Sequence, residues 1–253
     1  MQRYGLIGWP IGHSFSKRFF TEKFEREGIQ DARYDLFPLE NIAGLPGLLA
    51  QNPALRGLNV TIPHKQAVLP FLDELDETAL AVGAVNCIKV LDNHKLIGYN
   101  TDTIGFERSL DTAAWETWKK EACTALVLGT GGASKAVAYV LRKYGIPFRF
   151  VSRNPRSEQE ISYQTLASSL PDSTHLQLII NTTPVGTFPN VAEMPPVPSN
   201  LFKQGMYVYD LVYNPAETLL LREAKSHGCT VKNGLSMLEL QAEANWEIWQ
   251  GNH

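Results

Sequence analysis

The sequence predicts a two-domain α/β protein. Short apolar runs alternate with amphipathic stretches, the pattern of repeated strand and helix units around a mostly parallel sheet. A glycine-rich turn at Gly129-Thr130-Gly131-Gly132-Ala133 follows an apolar run and precedes an apolar helix, which marks a second unit beginning near the middle. A length of 253 residues with 44% hydrophobic content is enough to bury two cores.

Residues 4–8 read as a first strand. Residues 14–28 follow as a helix with Phe15, Phe19, Phe20 and Phe24 on one face, expected in the core, and Gly28 as its stop signal. Further strands are expected at 33–39 and 56–61. A hairpin-like pair comes next, at 84–91 and 95–100, joined through the turn formers Asp92 and Asn93. Residues 111–123 are mixed in charge and weakly periodic, so they read as a connection instead of core. The second unit then offers strands at 125–128, 148–152, 176–181 and 207–212, with helices at 133–144 and 215–227. A last helix at 236–250 carries Met237, Leu238, Leu240, Trp246 and Trp249 and must pack on something large.

Composition excludes several classes. A net charge of −3 and a pI near 6.1 give no global field to draw in nucleic acid or an anionic membrane, so any anionic ligand must be held by local donors. Cys87, Cys123 and Cys229 lie far apart, match no metal-ligand spacing and are odd in number, which argues against a disulfide framework. No signal-peptide pattern and no apolar stretch of transmembrane length is visible, and the expected location is the cytoplasm. His13, His64, His94, His175, His227 and His253 form no ligand grouping and read as packing or surface, so no metal is expected.

The glycine loop falls where a strand turns tightly into a helix N-terminus, and a pyrophosphate can sit against the free N–H groups there. Ser134 stands at the third glycine position of the usual spacing, and a small residue still permits close helix packing. The alternative is a tight turn with no ligand. The next strand ends in Ser152-Arg153-Asn154-Pro155-Arg156, with no carboxylate for a ribose 2′-hydroxyl. Two arginines there favour a 2′-phosphate, and NADP over NAD.

The first half carries Asn59-Val60-Thr61-Ile62-Pro63-His64-Lys65 and, later, Asn100-Thr101-Asp102. If Pro63 opens a helix, Lys65 lies in its first turn, where the macrodipole disfavours a cation and a nearby carboxylate such as Asp102 or a ligand anion must compensate. A positioned ammonium can stabilise and protonate the oxygen of a ketone during hydride delivery. Alone, Lys65 reads as a solvated surface charge; Asn59, Thr61, Asn86 and Asp102, at strand ends or turns, point to one polar cleft for a polyhydroxylated substrate. Ser14 and Ser16 open the first helix with hydroxyls, followed by Lys17 and Arg18 in place of first-turn acids. A carboxylate suits that end of the helix, and N-capping by Ser14 is the plainer role.

These segments together resemble the shikimate dehydrogenase family over nearly the full length. Residues 8–16 resemble its substrate-carboxylate loop, 59–65 its N-V-T-x-P-x-K motif, 83–86 its G-A-x-N segment and 100–102 its N-T-D motif. Residues 129–133 are similar to its glycine loop, 181–186 to N-x-T-P-x-G, 210–215 to D-x-x-Y-x-P, and 234–242 to its closing helix.

The resemblance implies reversible, NADP-dependent reduction of 3-dehydroshikimate to shikimate on the route to chorismate and the aromatic amino acids. It implies a substrate domain at 1–104, completed by the C-terminal helix at 235–253, and a Rossmann-like NADP domain at 105–234. Lys65 and Asp102 would be the catalytic pair, and Ser14, Ser16, Asn59, Thr61, Asn86, Tyr213 and Gln241 would bind substrate. Gly129, Thr130, Gly131, Gly132, Ala133, Ser152, Arg153, Asn154, Arg156, Leu211, Gly234 and Met237 would border NADP. A monomer or homodimer is expected. A relative acting on quinate with NAD, and a non-catalytic ligand-binding paralogue, are the alternatives.

Overall fold

The computed structural model describes residues 1–12, 14–110, 112–168 and 175–251; His13 and His253 lie outside the described residues. The chain divides into two compact units, Met1–Gly105 with Glu239–His253, and Phe106–Leu238. In chain order the first half contains β1 (Gln2–Gly8), α1 (Phe15–Arg26), β2 (Ala32–Pro38), α2 (Leu45–Gln51), β3 (Leu55–Val60), α3 (His64–Ala67), β4 (Glu74–Leu75), α4 (Glu77–Val82), β5 (Cys87–Val90), β6 (Leu96–Tyr99) and α5 (Thr101–Ser109). There follow α6 (Thr112–Lys120), β7 (Thr124–Leu128), α7 (Gly132–Lys143), β8 (Phe148–Ser152), β9 (Glu160–Ser162), α8 (Tyr163–Ser168), β10 (Leu176–Asn181), β11 (Tyr207–Asp210), α9 (Leu219–Ser226), β12 (Thr230–Asn233) and α10 (Leu235–Gln250).

The first unit is a six-stranded mixed sheet in the order β2-β1-β3-β5-β6-β4. β1 pairs in parallel with β2 and β3, and the β5/β6 hairpin adds antiparallel. Alternation along β1 sends Tyr4 and Leu6 to one core and Ile7 to the other. The first of these cores takes Phe20 and Phe24 from α1 and Ile248 and Trp249 from α10. Phe15 and Phe19, expected beside them, are only half-buried and stack on each other at 5.6 Å. α10 is held by Trp249 Nε1, which donates to the Ile88 carbonyl at 3.0 Å, and by Glu243, which accepts from the buried Lys23 at 2.6 Å.

The second unit is an all-parallel sheet ordered β12-β11-β10-β7-β8-β9, covered on both faces. Strand order reverses between β7 and β10, the position at which doubly wound sheets bind ligands at the carboxyl ends of their strands. Residues 112–120, expected as part of a connection, form α6. Trp115 and Trp118, one turn apart, are buried there with Phe106, Leu110 and Val137. The polar residues Glu116 and Thr117 between the two tryptophans hide this short apolar face from a periodicity test. α9 starts at Leu219, later than expected, because Thr218 caps it by accepting from Leu221 N–H.

Candidate active site

β3 carries the chain to Thr61, whose N–H donates to the Ile7 carbonyl at 3.0 Å, and the turn closes with His64 N–H on the Thr61 carbonyl at 2.8 Å. Thr61 is half-buried at that turn. Lys65 is the second residue of α3. Because α3 is a single turn of four residues, its macrodipole is weak and does little to set the environment of Lys65, contrary to the expectation from Pro63. What places the lysine is pairing: Val85 N–H donates to the Lys65 carbonyl at 2.7 Å, and Lys65 Nζ donates to Asp102 Oδ2 at 2.6 Å.

Asp102 sits in the first turn of α5, where a negative charge is favoured. Its other oxygen, Oδ1, accepts from Asn86 Nδ2 at 2.8 Å, while Asn86 Oδ1 accepts from Thr101 N–H at 2.7 Å. Asn86 is itself pinned across the sheet, since its carbonyl accepts from Val60 N–H at 2.8 Å and its N–H donates to the Tyr99 carbonyl at 3.1 Å. Two segments distant in sequence thus converge on one ion pair that keeps a solvent-facing side: the lysine and aspartate side chains are 21% and 10% exposed.

Ser14 caps α1, its oxygen accepting from Lys17 N–H at 3.4 Å, which leaves its own proton for another acceptor. Ser16 hydrogen-bonds to Tyr34. Tyr34 Oη donates to Asn59 Oδ1 at 2.7 Å, so the Ser16 hydroxyl is the donor to the tyrosine oxygen. Burial pushes the Tyr34 hydroxyl well above the usual tyrosine range, against the pull of Ser16. Asn59 is buried, with its Nδ2 on the Asn86 carbonyl at 3.4 Å, so its amide ties β2 to the turn before β5. Lys17 reaches the Tyr34 carbonyl and Asp35.

At the far side of Asn86 the network continues to α10. Thr101 Oγ1 donates to Asn245 Oδ1 at 2.6 Å, and Asn245 Nδ2 donates to Gln241 Oε1 at 3.1 Å. Gln241 was expected at the site. Thr101 lies within the Asn100-Thr101-Asp102 segment singled out in the sequence; Tyr34 and Asn245 stand outside every such segment, and only Asn245's spacing of one turn from Gln241 pointed that way.

In the second unit β7 ends at Leu128 and the chain reverses through Gly129, whose φ of +102° is open chiefly to glycine; a Cβ there would also meet Thr182 Oγ1 at 2.9 Å. Gly131 has an ordinary extended backbone, and a Cβ built on it meets no atom within 4 Å. Glycine at this position therefore leaves empty space before α7, whose N-terminus has no side-chain cap and no first-turn acid. Open space, free N–H groups and the positive end of a helix of 12 residues suit a pyrophosphate. Ser134 is fully buried and donates to the Gly131 carbonyl at 2.6 Å, filling the third glycine position as packing.

Ser152 ends β8 and accepts from Asn154 N–H at 3.2 Å, turning the chain so that Arg153 and Arg156 stand exposed. The residues present fit NADP. Leu211 follows β11, and Gly234 and Met237 flank the start of α10, Met237 being buried in the unit's core. Tyr213 is 37% exposed after β11. The loops around it are braced by Asp210, which accepts from Thr218 Oγ1 at 2.6 Å, Asn181 Nδ2 at 2.9 Å and Val212 N–H at 3.0 Å. Burial pushes the Asp210 carboxyl up in spite of these three bonds, which pull it down.

Residues 6–88, which carry both serines, Lys65 and Asn86, match the family of the shikimate dehydrogenase substrate binding domain. A shikimate dehydrogenase (NADP(+)) of Moorella thermoacetica is 38% identical over 263 residues, covering 97% of this chain and 87% of the relative. The chain belongs to the shikimate dehydrogenase family. Among solved structures, a chorismate mutase/shikimate 5-dehydrogenase fusion protein from Clostridium acetobutylicum superposes with a TM-score of 0.84 at 36% identity, over 99% of this chain and 91% of that one. Shikimate 5-dehydrogenase from Thermus thermophilus, solved with NADP(H) and shikimate, gives 0.81 at 32% identity over 99% and 94%. The two-unit α/β plan is that of the shikimate dehydrogenases. Among the described residues no helix is long and apolar enough to cross a membrane.

Proposed function

We propose that the protein catalyses the reversible, NADP-dependent reduction of 3-dehydroshikimate to shikimate. The observation that carries this is the Lys65–Asp102 pair at 2.6 Å, mostly buried with a solvent-facing side and braced by Asn86, in a chain of this family. The first unit is the substrate unit and the second the cofactor unit. The glycine loop and the N-terminus of α7 hold the pyrophosphate, and Arg153 with Arg156 takes the 2′-phosphate.

NADPH, when bound, supplies the hydride that reduces the ketone carbon. Lys65 donates a proton to the oxygen as negative charge develops on it, and takes that proton back in the oxidation direction. Asp102 orients the ammonium by its short hydrogen bond and accepts from a neighbouring substrate hydroxyl. Ser14 and Ser16 hold the substrate carboxylate at the start of α1, and Thr61, Asn86, Tyr213 and Gln241 are assigned to its remaining oxygens. Asn59 supports this set from behind, through Tyr34 and the Asn86 carbonyl.

The test is steady-state oxidation of shikimate and of quinate by the purified protein, with NADP and NAD in parallel. Turnover of shikimate with NADP preferred is the expected result. Faster turnover of quinate with NAD would replace the substrate and cofactor assignment, and binding without turnover of either would make the protein a ligand-binding paralogue.

A further inference from the structure

Residues 152–156 contain no carboxylate, yet the fold brings one to them. β9, the three-residue edge strand of the second sheet, pairs in parallel with β8 and sets Glu160 opposite Phe150. The loop between the two strands closes with Glu160 N–H on the Ser157 carbonyl at 3.0 Å. From that turn the Glu160 side chain reaches back along the loop. Its Oε2 accepts from Arg156 N–H at 3.0 Å, and Ser157 Oγ stands 3.5 Å from Oε1. Pro155 has no N–H to give, and Asn154 N–H is taken by Ser152 Oγ at 3.2 Å. The backbone donors on either side of Pro155 are therefore held at two points, one by the serine that ends β8 and the other by Glu160. Residues 153–159 are exposed, so these bonds, and not burial in a core, define the loop's shape.

We infer that Glu160 is a positioning residue for the 2′-phosphate site: by holding the Arg156 backbone it fixes the loop that presents Arg153 and Arg156, and so sets the preference for NADP over NAD. This deepens the proposed function and rests on its assignment of the 2′-phosphate to the two arginines. The carboxylate acts through its reach, not its charge. A negative group beside a phosphate is unfavourable by itself, and here Oε2 is turned onto the loop's own backbone. A loop already fixed before the cofactor arrives loses less freedom on binding it, and that saving is what the bond contributes to affinity. NAD has no 2′-phosphate and gains little from the loop's shape.

Two variants of the full chain separate reach from charge, read as dissociation constants of NADP and NAD by calorimetric titration. Glu160→Asp keeps the charge but is one methylene shorter and falls short of Arg156 N–H. Glu160→Gln keeps an acceptor at the same reach and loses the charge. Glu160→Asp should weaken NADP about fivefold or more and leave NAD within about twofold, while Glu160→Gln should stay within about twofold of wild type for both. If Glu160→Asp does not fold, Glu160→Ala carries the same comparison. Equal loss of NADP and NAD, or a Gln variant as weak as the Asp variant, would overturn the inference. Greater loss of NAD than of NADP would place the carboxylate on the ribose hydroxyls and overturn it as well. Arg153→Ala and Arg156→Ala, titrated in parallel, tell the two readings apart. No effect of either on NADP removes the 2′-phosphate assignment and the inference with it, whereas a selective loss there beside an unchanged Glu160→Asp removes only the role of Glu160.

Discussion

Lys65 Nζ lies 2.6 Å from Asp102 Oδ2, and Asn86 Nδ2 holds Asp102 Oδ1 at 2.8 Å from the opposite side. The carboxylate is therefore anchored independently of the lysine. The ammonium, with one proton on Asp102, keeps donor capacity for a substrate oxygen.

Lys65→Ala should lower kcat for shikimate oxidation by a factor of about 100 or more, with a modest change in KM, because the lost group acts chiefly in the transition state. Asp102 retains Asn86 as a partner in this variant, so the protein should remain folded. Steady-state kinetics beside a urea titration checks both. Near-normal kcat would remove Lys65 from the chemistry.

Gly131→Val should fill the space before α7, where a Cβ meets no protein atom within 4 Å. The expected outcome is a rise of about tenfold or more in KM for NADP with an unchanged urea midpoint. Gly129→Ala should behave differently, losing about 1 kcal/mol or more of stability through its positive φ and the approach of Thr182. Equal NADP affinity in Gly131→Val would place the pyrophosphate elsewhere.

Arg153→Ala and Arg156→Ala should each weaken NADP and leave NAD untouched, since only NADP carries the 2′-phosphate. The scale is about tenfold in KM for a charge-assisted bond at an exposed position. Parallel titrations with both cofactors check it. Equal loss for NADP and NAD would point to a general disturbance of the loop after β8.

Asp35 is gripped by Arg3 at 2.8 Å and Arg33 at 2.9 Å, with Lys17 at 3.5 Å. Burial alone would raise its pKa, but the Arg33 and Arg3 hydrogen bonds outweigh burial and hold it below the usual aspartate value. The unfolded chain thus binds this proton at a higher pH than the folded one. The stabilisation is fully present above the unfolded value of about 3.9 and is lost as pH falls through the lowered folded value. Urea midpoints of wild type and Asp35→Asn should differ at neutral pH and converge as pH falls through the lowered folded value. A gap that does not narrow would contradict this origin.

The parts of the protein legible in its sequence are those whose physics is local. A strand, Gly129, Gly131 and a helix start form one continuous stretch, and a phosphate cradle needs little more. Ser14 shows as a cap because capping is decided within three residues. Trp115 and Trp118 read as part of a connection for the same reason in reverse: nothing within residues 111–123 reveals the core that buries them.

By itself the sequence determined the α/β class, the order of the strands along the chain, and which residue types were available for acid/base and phosphate chemistry. Backbone geometry and side-chain chemistry are properties of short segments. Only the tertiary structure decided which of those residues meet. It pairs Lys65 with Asp102 across 37 positions and Thr101 with Asn245 across 144, and it turns Asn59 inward onto Tyr34. A hydrogen bond depends on distance and direction within a few ångströms, and sheet order and helix packing set those for residues far apart in the chain.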